Sequence, residues 1–181
     1  MKSVTRKNGF TLIELLMTLA LLAILVSIAA PSMGEFVREN QAATQTNQLV
    51  TTLNLARSEA VKRGTIVAAC ASTDGDTCSG DQNNWATGWV IFEDDNQGGG
   101  NPVLASADDV IRAWGSPGGN TILDRLDNRA IRYNPRGALT HGDEVEFRLC
   151  INECGLADER RNHDRRIEVR GSGQIRSNRV N

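Results

Sequence analysis

The sequence predicts an α+β fold. A long N-terminal helix, membrane-spanning in its first half and amphipathic in its second, packs on a globular domain of antiparallel β-sheets. Three observations predict it. Residues 10–30 are apolar apart from Thr11, Glu14, Thr18 and Ser27, and a helix of that length spans about 31 Å, close to the hydrocarbon thickness of a bilayer. Helical periodicity then continues to about residue 63. Past Gly64 the texture changes to short β-like runs between turn-rich loops.

The first nine residues carry Lys2, Arg6 and Lys7 with no balancing acid, which keeps that end cytoplasmic and sends the rest of the chain across the membrane. Three readings of this start compete. A secretory signal cut near residues 27–30 requires an apolar run of 7–15 residues, shorter than the one present. A plain signal anchor leaves Glu14 unexplained. A class III prepilin leader is cut before the apolar stretch. Glu14 weighs on the choice, because an ionisable group at membrane depth is costly and marks function.

From residue 32 to about 63, Phe36, Ala43, Leu49, Val50, Leu53, Ala56 and Ala60 recur at three- and four-residue steps. Arg38, Glu39, Gln41, Gln45, Asn47, Gln48 and Asn54 lie on the polar face. This is an amphipathic continuation of the helix, with Pro31 bending the join and Gly64 as C-cap. The predicted strands cover 65–70, 88–93, 110–114, 130–133, 144–151 and 166–169, with a last one near 174–176. Loops at 94–102 and 115–120 interrupt them.

The chain has 181 residues, enough for one globular domain besides the helix. It carries 20 basic and 22 acidic residues, so it is not a strongly basic nucleic-acid binder overall. Charge is uneven, with net −8 over residues 72–128 and net +3 over 148–181. The basic end is either an interaction surface or a solvated strand face. Four cysteines allow three connectivities, and the local pairs Cys70–Cys78 and Cys150–Cys154 are favoured, each pinning a loop. Zinc is the rival reading, but no Cys-x-x-Cys occurs and His141 and His163 complete no regular ligand spacing. No metal, cofactor or catalytic residue is assigned. The chain lacks Gly-x-Ser-x-Gly, phosphate-loop and zinc-protease motifs, so it is read as a structural protein, not an enzyme.

Trp85 and Trp89 read as core aromatics in preference to a stacking platform. The loop at 94–100 departs from a calcium-binding loop at its fifth and twelfth positions, Gly98 and Ala105, and reads as a solvated hairpin turn.

Residues Gly9-Phe10-Thr11-Leu12-Ile13-Glu14, with the basic leader before them and Pro31 after, resemble the type IV prepilin signature. The resemblance implies cleavage between Gly9 and Phe10 by a prepilin peptidase and N-methylation of Phe10. It also implies assembly through Phe10 and Glu14, the carboxylate of one subunit pairing with the new amine of the next. A lone charge in a low-dielectric core is expensive and a paired one much less so. The implied organisation is leader 1–9, transmembrane and filament-core helix 10–31, amphipathic continuation 32–64 and β-rich periplasmic domain 65–181.

A second resemblance rests on 55–60 (Leu-Ala-Arg-Ser-Glu-Ala), Trp85 with 88–92 (Gly-Trp-Val-Ile-Phe), 133–137 (Tyr-Asn-Pro-Arg-Gly) and 173–176 (Gly-Gln-Ile-Arg). Together they are similar to the GspH/FimT family of minor pseudopilins and type IV minor pilins. That family implies a subunit of a pilus or secretion pseudopilus, stored in the bacterial inner membrane and assembled in the tip or priming complex with other minor and major pilins or pseudopilins. Some FimT-type members bind DNA through a Gly-Arg-x-Arg motif near the C-terminus. Here Gln174 replaces the first arginine, leaving Arg176, with Arg170 and Arg179 nearby, as the DNA-binding alternative. Aromatic interleaving is sparse, which argues against base stacking.

Overall fold

A computed structural model describes residues 10–81, 83–94, 109–125, 129–152, 154 and 164–180, apart from the side chains of 28–32. The chain divides into two compact units, residues 1–38 and 39–181.

Helix α1 covers Leu12–Arg63. Its start is set by Thr11, whose hydroxyl accepts the backbone N–H of Glu14 at 3.3 Å, the first half of a Thr-x-x-Glu capping box. Its end is set by Gly64, which takes φ +72° and donates its N–H to the Ala60 carbonyl, as the sequence predicts. In the first unit the described apolar side chains of residues 10–27 are exposed. The hydroxyls of Thr18 and Ser27 bond back to the carbonyls of Leu15 and Ile24, so neither needs a solvent partner. Among the described residues no helix is long and apolar enough to cross a membrane. The predicted span of 10–31 is only partly covered by the described side chains, which stop at Ser27. The side chains of 28–32, including Pro31 and its predicted bend, lie outside the description.

In the second unit, Ala42, Leu49, Leu53, Ala56 and Ala60 of α1 are buried. Their steps of seven, four, three and four place them on one face. Three positions of the predicted pattern are corrected. Phe36, which belongs to the first unit, is 61% exposed. Ala43 is half-buried, and Ala42 takes the buried place beside it. Gln45, assigned to the polar face, is buried, because its amide reaches the carbonyls of Pro117 and Gly118 and its oxygen accepts the Thr121 hydroxyl. Gln41 likewise bonds the Gly119 carbonyl at 3.2 Å.

Among the described residues eight strands follow: β1 (Val67–Ala71), β2 (Gly88–Glu93), β3 (Val110–Gly115), β4 (Thr121–Arg125), β5 (Ile131–Tyr133), β6 (Val145–Ile151), β7 (Arg165–Val169) and β8 (Ile175–Arg179). They form two antiparallel sheets, ordered β3-β2-β1-β5 and β4-β6-β7-β8. β4 lies outside the strands that the sequence predicts. It follows the turn at 116–120, where Gly118, Gly119 and Asn120 all take positive φ, and its Leu123 and Arg125 alternate inward with Ile122 and Asp124 outward.

One core cluster joins α1 to both sheets, with Trp85, Trp89, Tyr133, Phe147, Leu149 and Ile167 at its centre. Trp85 meets Phe147 edge to face at 4.9 Å. The Trp89 indole N–H donates to the Thr52 hydroxyl at 3.1 Å. Both tryptophans are core residues, as the sequence predicts. On the opposite face of the first sheet, Ala68, Cys70, Val90, Phe92 and Ala130 form a second cluster. Burial on both faces explains why β1 and β2 read as continuous apolar runs, while one-sided β6 alternates Val145, Phe147 and Leu149 with Glu146 and Arg148.

Candidate assembly motif and arginine surface

The candidate assembly motif begins at the described start of the chain. Phe10 is 87% exposed, one residue before the N-cap. Glu14 is exposed in the first turn of α1. An acid there complements the positive end of the helix dipole, and a positive amine on Phe10 would add to the charge it faces. Gly9, the other predicted processing residue, lies outside the described residues.

The two predicted disulfides are present. Cys70 of β1 bonds Cys78, and Cys150 of β6 bonds Cys154. The first closes the loop in which Asp74 accepts four hydrogen bonds, from the Ser72 hydroxyl, the Asp76 and Thr77 amides and the Thr77 hydroxyl. These hold its carboxyl well below the ordinary range, with the Thr77 hydroxyl as the largest cause. Among the described residues no cluster of three or more His, Cys, Asp or Glu side chains is arranged to hold a metal ion.

The solvated-turn reading of 94–100 is corrected at its first residue, and the rest lies outside the described residues. Asp94 is buried and paired with the buried Arg132 through Nη2 and through Nε at 2.6 Å. Sequence reasoning missed this pair because 38 residues separate its members and the alternation of β5 leaves only Arg132 to mark it.

Among the described residues the C-terminal arginines do not form one basic strip. Arg179 pairs with Glu39 of α1, which also lies 3.8 Å from the buried Arg165. Burial and the neighbouring Arg179 push the Arg165 guanidinium down from its ordinary value, with burial the larger cause. Arg176 stands opposite Glu168 in the β7–β8 register. Arg166 pairs with Glu146 at 2.8 Å. Arg170 is exposed in the β7–β8 turn, where its backbone pairs with Gln174 and Gly173. On the outer face of the second sheet one cross-strand row carries Asp124, Arg148 and Arg166 and the next carries Glu146, Glu168 and Arg176, so acids and arginines share the face. Acids interleaved this way offset the charge that phosphate contacts require. Arg160 and Arg161 lie outside the described residues.

Comparison with known proteins gives a consistent set of matches. Residues 45–173 match the family described as type II transport protein GspH. Residues 4–30 match the prokaryotic N-terminal methylation motif. Among curated proteins, no significant match is found. Among solved structures, the fold is similar to the type IV minor pilin FimU of Pseudomonas aeruginosa in two crystal forms. In the P21 form the TM-score is 0.57 at 21% identity, covering 80% of this chain and 93% of that one. In the P65 form it is 0.53 at 20% identity, covering 78% and 93%.

Proposed function

From the premise that the chain belongs to the GspH family of type II transport proteins, we propose that it is a minor pilin-like subunit processed between Gly9 and Phe10. A prepilin peptidase removes residues 1–9 and the amine of Phe10 is methylated. Residues 10–31 then anchor the subunit in the inner membrane, N-terminus cytoplasmic, with 32–64 and the β-rich domain 65–181 on the periplasmic side. The subunit joins the tip or priming complex of a type IV pilus or secretion pseudopilus beside other pilins or pseudopilins. Phe10 and Glu14 dock it in register, and the work of extension comes from a separate motor.

The observation that carries this reading is the methylation motif over 4–30 on the same chain as the GspH domain at 45–173. The capped helix start supports it: Thr11 and Glu14 organise the first turn next to the proposed cut. Mass spectrometry of the N-terminus tests it on the full chain produced in its host. A chain beginning at methylated Phe10 is expected. An intact leader, or a cut after residue 30, refutes it.

A further inference from the structure

We propose that the free edge of β3 is a docking site for an extended segment of a neighbouring pilin-like subunit, one that brings a carboxylate to Arg112. The proposal rests on the subunit reading above.

Each sheet has two edges, and an uncovered edge is a template for another strand. Three of the four are managed. Beyond β5, the Thr140 N–H donates to the Arg132 carbonyl and Tyr133 bridges Leu139. Beyond β4, the Arg125 N–H donates to the Asn83 carbonyl and Asn84 bridges Asp124. The β8 edge exposes Arg176 and Arg179 with Ser177 and Asn178, and charged side chains discourage strand addition. Among the described residues β3 pairs with β2 alone. A bulge falls at Ile111, and the register is regular from Arg112 to Gly115. The strand sequence, Val-Ile-Arg-Ala-Trp-Gly, is rich in β-formers and has one charge.

Beside this edge lies an open groove of about 380 Å³ between β3 and α1, lined by Asn47, Gln48, Leu55, Arg112 and Trp114 among others. Trp114 stacks on Trp89 with centroids 6.4 Å apart, and the Arg112 guanidinium lies 5.1 Å from its centroid. Arg112 is exposed and has no carboxylate partner among the described residues. Among the described residues it is thus a cation without a carboxylate partner, held against an aromatic ring at a backbone edge that no other strand pairs. The occupant that fits is an extended strand, hydrogen-bonded along 112–115, with an acidic side chain toward Arg112 and an apolar one toward Leu55 and Trp114. A second copy fits worse, because edge-to-edge pairing brings two Arg112 side chains onto one short ladder.

A photo-cross-linking residue placed at Ala113 of the full chain in its host tests this, with one at Ser177 on β8 as control. The expected result is an adduct from position 113 to another pilin-like subunit, about tenfold above the control. Arg112→Glu should cut that adduct at least about fivefold and Arg112→Lys should restore it. The two disulfides, mapped in the same digest, report that each variant has folded. No excess over position 177, an adduct to a second copy or within the chain itself, or indifference to Arg112→Glu overturns the proposal. The same sample reports the N-terminus. If methylated Phe10 is found without the adduct, only the docking site fails; an unprocessed chain takes both readings down.

Discussion

Arg57 of α1 donates its Nε to the carbonyl of Gly137 at 2.9 Å, and its Nη2 reaches the Ser172 carbonyl at 3.3 Å. Gly173 closes the arrangement. A Cβ there would collide with the Gly137 carbonyl, and its φ is +79°. Segments 55–60, 133–137 and 173–176, remote in sequence, therefore meet at one point. The glycine at 173 has a structural task in this chain, independent of any contact to DNA. Hydrogen bonds from a charged donor contribute about 1.5–3 kcal/mol each. Arg57→Met should lower unfolding stability by about that amount in urea titration, and Gly173→Ala by more, since it adds a clash to the strain of a left-handed backbone. An alanine at 173 that leaves the midpoint unchanged would contradict the packing described.

The Asp94–Arg132 pair carries a second prediction. Both side chains are almost wholly buried, so removing one takes a counter-charge away from the other in the interior. Asp94→Leu or Arg132→Met alone should each cost about 3–5 kcal/mol. The double change Asp94→Leu with Arg132→Met should cost less than either, because it leaves no charge to solvate. Simple additivity of the two single losses in denaturant unfolding would show that the pair does not act as a unit.

Much of this architecture is legible in the sequence where one periodicity dominates. The helix end at Gly64, the continuous apolar runs of β1 and β2 and the alternation of β6 all follow from local pattern. β4 was not legible because Thr121–Arg125 is a five-residue strand ending in Asp and Arg, and a turn at 115–120 accounts for the glycines before it. Gln45 was misplaced for a related reason. A glutamine reads as solvent-facing until two turn carbonyls and the Thr121 hydroxyl of β4 arrive to satisfy it. The same holds for Asp94, whose neutralising partner comes from another strand. In the candidate assembly motif the residue types were legible, while the Thr11 cap was overlooked although Thr-x-x-Glu is a local signature.

The loop closed by Cys70–Cys78 should respond to acid through Asp74. Its carboxyl is held below its ordinary value of 3.8 by the Thr77 hydroxyl first, then by the Thr77 and Asp76 amides. A depressed folded value means the charged form stabilises the fold. That contribution is complete above the ordinary value and is lost as pH falls from there toward the folded one. Asp74→Asn removes the charge, so its thermal midpoint should lie below that of the unchanged chain at about pH 6, and the gap should shrink only below about pH 4. A gap already closed near neutral pH would place the dependence on some other group.

Glu14 offers two roles that a single substitution would confuse. It sits at the third helical position, where the Thr11 hydroxyl caps its own N–H, and a Glu or Gln there completes a capping box. It is also the proposed mate of a neighbour's Phe10 amine. Glu14→Gln separates the two, because glutamine retains the capping geometry and discards the charge. If docking depends on the ion pair, both Glu14→Gln and Glu14→Leu leave a buried amine unmatched. At about 3–5 kcal/mol for a stranded partner, incorporation into the assembled fibre should fall by on the order of a hundredfold or more. Thr11→Ala should cost the helix start only about 0.5–2 kcal/mol and leave incorporation far less affected. Immunoblotting of sheared fibres or of purified assembly complexes reads all three variants together. Normal incorporation of Glu14→Gln would reassign the residue to helix capping and remove the charge pair from the docking scheme.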